Sequence, residues 1–140
     1  MEKYIEATIL SILNQQYSNL ELIVVDGGSS DDTLSILSKY KEQISLLISE
    51  KDEGQYNAVN KGFSKATGDV LAWLNADDIY FPWTLSHVSN FFKKYPTQSW
   101  VSGSTSLMNE DGLINGLNAN IIAKPNKFVR NGWFRSGLYG

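Results

Sequence analysis

Three short acidic runs carry most of the reactive side chains of this sequence: Asp26-Gly27-Gly28-Ser29-Ser30-Asp31-Asp32, Glu50-Lys51-Asp52-Glu53-Gly54 and Asn75-Ala76-Asp77-Asp78. Carboxylates gathered at one place repel one another unless water, a lysine such as Lys51 or Lys61, or a bound cation offsets their charge. Hard divalent ions such as Mn²⁺ and Mg²⁺ take oxygen ligands and are often held by one or two carboxylates together with the phosphates of a substrate. Asp77 and Asp78 meet that requirement. Gly27, Gly28 and Gly54 would let a flat ligand approach the backbone where a β-carbon would clash. The chemistry within reach is therefore metal-assisted binding of a nucleoside diphosphate. Neither Gly-x-x-x-x-Gly-Lys-Ser/Thr nor Gly-x-Gly-x-x-Gly occurs, so a lysine-lined phosphate loop and the dinucleotide fingerprint are excluded.

Each of these residues also has a plainer use. Asp77-Asp78 could be a solvated turn ahead of the helix that Pro82 opens, and Asp26 could close an Asx-turn on Gly28 or Ser29. His87 falls inside that helix, away from the acidic runs, as a surface or packing residue. Trp73 and Trp100 lie in strand-like stretches and read as core, whereas Trp83 and Trp133 are the candidates for stacking on a sugar ring.

The acidic runs acquire a common place once the elements before them are read. From Glu2 to Gln16, Ile5, Ile9, Ile12 and Leu13 form the one-sided stripe of an amphipathic helix. Leu20–Val25 is short and β-branched, as a buried parallel strand is. A helix capped by Ser30 or Asp31 runs to Tyr40, and Ile44–Ile48 is a second strand. A third helix spans Gln55–Ala66, closed by Gly68, and a third strand spans Val70–Leu74. A helix from Pro82 to Lys94 follows, then strands at Trp100–Gly103 and Thr105–Met108, the last meeting a turn at Asn109–Gly112. From Asn115 onward no period of two or 3.6 persists, and the tail reads as loop.

Strands alternating with helices predict an α/β domain, a mostly parallel sheet with helices on both faces. In such sheets ligands bind beyond the carboxyl ends of the strands. All three acidic runs sit there.

The 140 residues suit one domain, and 42% hydrophobic with 19% charged residues suit a folded chain. A formal charge of −3, with Lys93-Lys94 as the paired basic residues, gives no footprint for a nucleic-acid backbone. With no cysteine there is neither a disulfide framework nor a thiolate metal site. No apolar run is long enough for a membrane span or a signal peptide. A cytoplasmic chain, free or peripheral to a membrane, is expected.

The run from Leu13 to Thr33, Leu-Asn-Gln-Gln-Tyr-Ser-Asn-Leu-Glu-Leu-Ile-Val-Val-Asp-Gly-Gly-Ser-Ser-Asp-Asp-Thr, resembles the opening of family 2 glycosyltransferases. Asp52–Gly62, Ala66–Asp69 and Asn75–Pro82 follow in the family's order and spacing, so the resemblance covers roughly residues 5 to 112. It implies a Rossmann-like GT-A fold, here one incomplete domain over residues 1–140, and a nucleotide-diphosphate-sugar donor, UDP- or GDP-linked. It further implies a divalent-metal-dependent, inverting transfer to a saccharide or lipid-linked acceptor hydroxyl. Residue by residue, it places Asp26, Gly28 and Asp52 near the base and ribose and makes Asp77 the ligand to Mn²⁺ or Mg²⁺. Asn75 takes the first position of the Asp-x-Asp motif, as an amide that would bond ribose. Gly27 stands where many relatives carry a second Asp.

Relatives begin with a further strand before the first helix and supply an acidic general base in a later segment, which is expected beyond Gly140. Loss of a central strand would expose apolar surface and leaves an oligomer open. The competing readings are a catalytically inactive truncated remnant that binds donor weakly or not at all, and a receiver-type α/β domain. The latter's phosphate-sensing lysine on a late strand end is not evident.

Overall fold

The computed structural model describes residues 1–103, 105–109, 111–118 and 132–135. The first helix, α1 (Ile5–Leu13), buries Ile5, Ile9 and Ile12 as its stripe predicts. It ends where Asn14 leaves helical geometry, and Gln16 then takes a positive φ of 50°. Two parallel strands follow around a short helix: β1 (Ile23–Asp26), α2 (Thr33–Ser38) and β2 (Leu46–Ser49), with Ile23 opposite Leu46 and Asp26 opposite Ser49.

Alternation along β1 sends its side chains to two faces. Leu22 and Val24 join the core around Ile5, Ile9, Ile12 and Leu37. On the opposite face Val25 meets α3 (Gln55–Lys65), where a β-carbon at Gly62 would lie 3.4 Å from Val25 Cγ2. Helices therefore cover both faces of β1, the α/β layering expected. Thr67 at the end of α3 is tied back to the foot of β1, its N–H donating to Glu21 Oε2 at 2.7 Å and its hydroxyl to Oε1 at 3.2 Å.

Next come β3 (Val70–Ala72), α4 (Thr84–Lys94) and β4 (Trp100–Ser102). α4 buries Leu85 and Phe92 and starts at Thr84, two residues later than Pro82 suggested. The hairpin β5 (Thr105–Met108) and β6 (Ile114–Asn118) pairs antiparallel, with a register shift at Leu107/Met108. The last described strand, β7 (Gly132–Arg135), lies antiparallel between β3 and β4.

These last two strands correct the expectation of a loop from Asn115 onward. Ile-Asn-Gly-Leu-Asn and Gly-Trp-Phe-Arg are too short and too polar to show a strand period, and their extended form comes from partners distant in sequence. Parallel pairing is likewise confined, among the described residues, to β1 and β2. β3 and β4 run the same way but are joined through antiparallel β7. Trp100, expected in the core, is exposed, whereas Trp73 is half-buried with its ring edge-on to Phe63 at 6.2 Å.

β1 and β3 are not bonded to each other. Between them opens a cavity of about 1730 Å³, lined by Leu20–Val25 on one side and Val70–Ala76 on the other. Ile23, Val24, Val25, Val70, Leu71 and Ala72 are all only half-buried, and no residue of α3 is buried. The stripe of α1 remains buried even though Ile5, Ile9 and Ile12 line the cavity, so the uncovered surface belongs to strands, not to that helix. No helix among the described residues is long and apolar enough to cross a membrane.

Candidate functional site

β1 ends in Asp26 beside Ser49 of β2, and the loops that leave β1, β2 and β3 carry the other residues singled out in the sequence, Gly28, Asp52, Asn75 and Asp77; Gln55 at the start of α3 bonds across to Asn75. Asp26, 7% exposed, turns its carboxylate back onto its own loop. Gly28 N–H donates to Oδ2 at 3.2 Å, Ser29 N–H at 3.1 Å and Ser49 Oγ at 2.7 Å from the neighbouring strand. Burial pushes this carboxyl up, but the bonds from Ser29, Ser49 and Gly28 outweigh it and hold the group below its ordinary value. The Asx-turn expected of Asp26 is thus formed, and it is supported from β2 as well.

Gly28 closes that turn at φ 86°, a conformation a side chain would strain. Gly27 has a different neighbour, the mobile tip of an aspartate side chain that would have to move aside for a β-carbon. Asp52 from the β2–α3 loop lies over it, so that a β-carbon at Gly27 would sit 2.7 Å from Asp52 Oδ2. Asp52 Oδ1 accepts Gly54 N–H at 2.8 Å and shapes the entry to α3. Lys61 offsets the acidic edge by pairing with Glu50 at 2.8 Å, as one of the sequence expectations had it.

The loop after β3 is built differently. Asn75 acts as a bridge: its Oδ1 accepts from Gln55 Nε2 at 2.5 Å and its Nδ2 donates to Asp78 Oδ2 at 3.0 Å. Asp77 is exposed, with no bonded partner among the described residues. Tyr80 beneath it is raised above its ordinary pKa by burial and by the charge of Asp78. Phe81 and Trp83 stack in parallel at 5.4 Å on the outer side of the same loop, and both are exposed.

What holds this loop is a set of residues the sequence reading missed. Thr8, Ser11 and Gln15 form a polar seam along α1 and the turn that follows it. Thr8 Oγ1 donates to Ala76 O at 2.9 Å, Ser11 Oγ accepts Tyr80 N–H at 3.1 Å, and Gln15 Nε2 donates to Phe81 O at 2.8 Å. Gln15 Oε1 then accepts Leu85 N–H at 3.0 Å. Thr8 and Gln15 are 3% and 6% exposed, which polar side chains sustain only when bonded. Their signal was a polar edge on the apolar stripe of the first helix.

The carboxylates of the three acidic runs, expected at one edge, do not meet at one point. Among the described residues no three acidic, histidine or cysteine side chains close on a common centre. Asp26 faces inward, Asp31 is drawn by the N-terminal ammonium and held well below the usual carboxylate range, and Asp77 faces outward alone. His87 is on α4 with Nδ1 2.9 Å from Trp83 O, outside this edge. The side chain of Trp133 lies outside the described residues.

The profile of the family described as glycosyl transferase family 2 matches residues 1–133. A PGL/p-HBAD biosynthesis glycosyltransferase of Mycobacterium bovis is 31% identical over 140 residues, covering 96% of this chain and 55% of that protein. Among solved structures, the mannosyltransferase PcManGT from Pyrobaculum calidifontis, in complex with GDP-Man and Mn²⁺, superposes with a TM-score of 0.64. It is 28% identical, with 76% of this chain and 32% of that one covered. Staphylococcus aureus TarS 1–349 in complex with UDP gives a TM-score of 0.60 at 26% identity, covering 76% of this chain and 31% of its own. The chain thus spans about half or less of the length of these relatives.

Proposed function

We propose, from the premise that the chain belongs to glycosyltransferase family 2 and has its GT-A α/β fold, that it forms the donor-binding part of an enzyme transferring sugar from a nucleotide-diphosphate-sugar to an acceptor hydroxyl. The observation that carries this is the division of labour at the strand ends: Asp26 is spent on its own loop, while Asp77, exposed and unbonded among the described residues, is left for an external charge. A single outward carboxylate suits a hard cation that brings phosphate oxygens with it, so Asp77 fits the metal position. Mn²⁺ or Mg²⁺ held there would supply positive charge to the diphosphate as it departs.

The chain's own groups do the rest of the binding. The loop braced by Asp26 and the carboxylate of Asp52 frame the base and ribose, with Gly27 and Gly28 giving close access to the backbone. Asn75 keeps Asp78 and Gln55 in place beneath the diphosphate. The stacked Phe81 and Trp83 offer an apolar face to the ring of a saccharide or lipid-linked acceptor. Transfer with inversion needs an acceptor hydroxyl deprotonated as it attacks, a task no described residue is assigned.

The test is calorimetric titration of UDP and GDP with and without Mn²⁺ or Mg²⁺. Asp77→Ala should abolish the metal-dependent part of nucleotide affinity, and equal binding by the variant would remove Asp77 from the metal position. A second reading, donor binding without transfer, is favoured by the cavity between β1 and β3, which leaves β1, ending in Asp26, and β3, followed by the loop of Asn75, without a shared neighbour. Turnover of a UDP- or GDP-sugar by purified chain would exclude it.

A further inference from the structure

A nucleotide held through its nucleoside at one loop and through a metal at another needs the two loops at a fixed spacing. Asp52 belongs to the β2–α3 loop and Asp77 to the loop after β3, so no single turn sets that spacing. Burial contributes little, because α3, which carries the first of these loops into the fold, has no buried residue. Polar ties therefore matter more, and one of them runs straight from loop to loop: Gln55 Nε2 donates to Asn75 Oδ1 at 2.5 Å.

Each end of that tie is anchored. On the α3 side, Asp52 Oδ1 accepts Gly54 N–H at 2.8 Å. Gly54 O in turn accepts the N–H groups of Asn57 and Ala58 at 2.9 and 3.2 Å, which fixes the first turn of the helix around Gln55. On the β3 side, Asn75 O accepts Asp78 N–H at 3.1 Å and Asn75 Nδ2 donates to Asp78 Oδ2 at 3.0 Å. The backbone and side chain of Asn75 thus close together the turn that presents Asp77. Asp52 and Asp77 are joined by an unbroken run of covalent and hydrogen bonds with Gln55 at its centre.

The chemistry at that centre calls for a neutral donor. The Asn75 amide has one acceptor end and one donor end, and the Asp78 carboxylate can take only the donor. A second group must then donate to Oδ1, or the amide is free to turn and its bond to Asp78 is lost. Gln55 supplies that donor, and Gln55, Asn75 and Asp77 border the same space.

We propose that Gln55 is a positioning residue that couples the two halves of the donor site, holding the loop of Asp77, through Asn75, in register with the loop of Asp52. This role rests on the donor-site reading. A metal at Asp77 then raises nucleotide affinity further than it would with untied loops, because one loop is already ordered against the other when the ligand arrives. Gln55 acts through Asn75 and need touch neither metal nor base.

The test measures, by calorimetry, the factor by which Mn²⁺ raises the affinity of the 140-residue chain for UDP, with GDP in parallel. Gln55→Met keeps the length of the side chain and removes its donor without changing charge. It should lower that factor about fivefold, the equilibrium equivalent of one neutral hydrogen bond, with the melting temperature unchanged within about 2 °C. Asn75→Ala should lower the factor too, and adding Gln55→Met to Asn75→Ala should lower it no further. In the chain without metal or nucleotide, Gln55→Met should also shift the side-chain amide proton resonances of Asn75. Three outcomes overturn the proposal: an unchanged factor in Gln55→Met, losses that multiply in the double variant, or Asn75 amide resonances that Gln55→Met leaves in place. Absence of any Mn²⁺ effect on either nucleotide in the unaltered chain overturns the donor-site reading and this role with it. A failure of Gln55 alone is told apart by a metal effect that the variant keeps in full.

Discussion

The loops that follow β1 and β3 both begin with an acidic motif, yet they are held by opposite means. After β1 the acid is the scaffold: Asp26 gathers Gly28, Ser29 and Ser49 around itself and is nearly sealed from water. After β3 the acid is the cargo: Thr8, Ser11 and Gln15 of the first helical region hold the backbone, and Asp77 does none of the holding. A carboxylate already committed to three donors has little left to offer a ligand, whereas one supported from outside can meet a cation without loss of fold. The same residue type at equivalent strand ends therefore serves stability in one loop and is free for binding in the other.

That contrast can be broken in order of effect. Asp26→Ala should cost most, about 2–3 kcal/mol, because it removes a buried acceptor and leaves donors unmet. Chemical denaturation measures it, and a loss below about 0.5 kcal/mol would show that the loop holds without its acid. Because the folded-state pKa of Asp26 is lowered, its contribution is present above the unfolded carboxyl value and lost as pH falls through the folded one. Stability should therefore decline below about pH 4, less steeply in Asp26→Asn.

Gln15→Leu comes next, at about 2 kcal/mol, since Phe81 O and Leu85 N–H lose their partner while the apolar volume is kept. The same variant should weaken metal-dependent nucleotide binding with Asp77 intact. Unchanged binding alongside the destabilisation would confine Gln15 to the fold. The smallest effect on the melt belongs to Asp77→Ala, within about 0.5 kcal/mol, even as its metal-dependent affinity disappears. A large destabilisation would mean that Asp77 also holds its loop.

How far the sequence revealed this arrangement follows the same divide. Ile5, Ile9 and Ile12, the β-branched run before Asp26 and the turn-forming glycines are local signals, and the elements they predict are present. The acidic runs fell at strand ends as expected. What sequence could not show depends on partners far along the chain. Gly132–Arg135 becomes a strand because β3 and β4 flank it, and Trp100 stays exposed on a strand whose pattern suggested core. Thr8 and Gln15 looked like ordinary helix polarity until the loop they bond was seen beside them.

The polar seam of α1 also sets a timetable. The bonds that shape the β1 loop span two or three residues, with one of 23 to Ser49, whereas those that fix the β3 loop span 66 to 70 residues. Bringing such distant points together costs about 3 kcal/mol more in chain entropy than closing a three-residue turn. The β1 turn can take shape while the rest of the chain is still searching, but the segment bearing Asp77 must wait for α1 to dock. Pulse-labelled exchange during refolding should find Gly28 and Ser29 protected before Tyr80 and Leu85, and simultaneous protection would contradict that order. The segment that carries Asp77 is thus among the last features the protein acquires, and its protection reports that the distant parts of the chain have met.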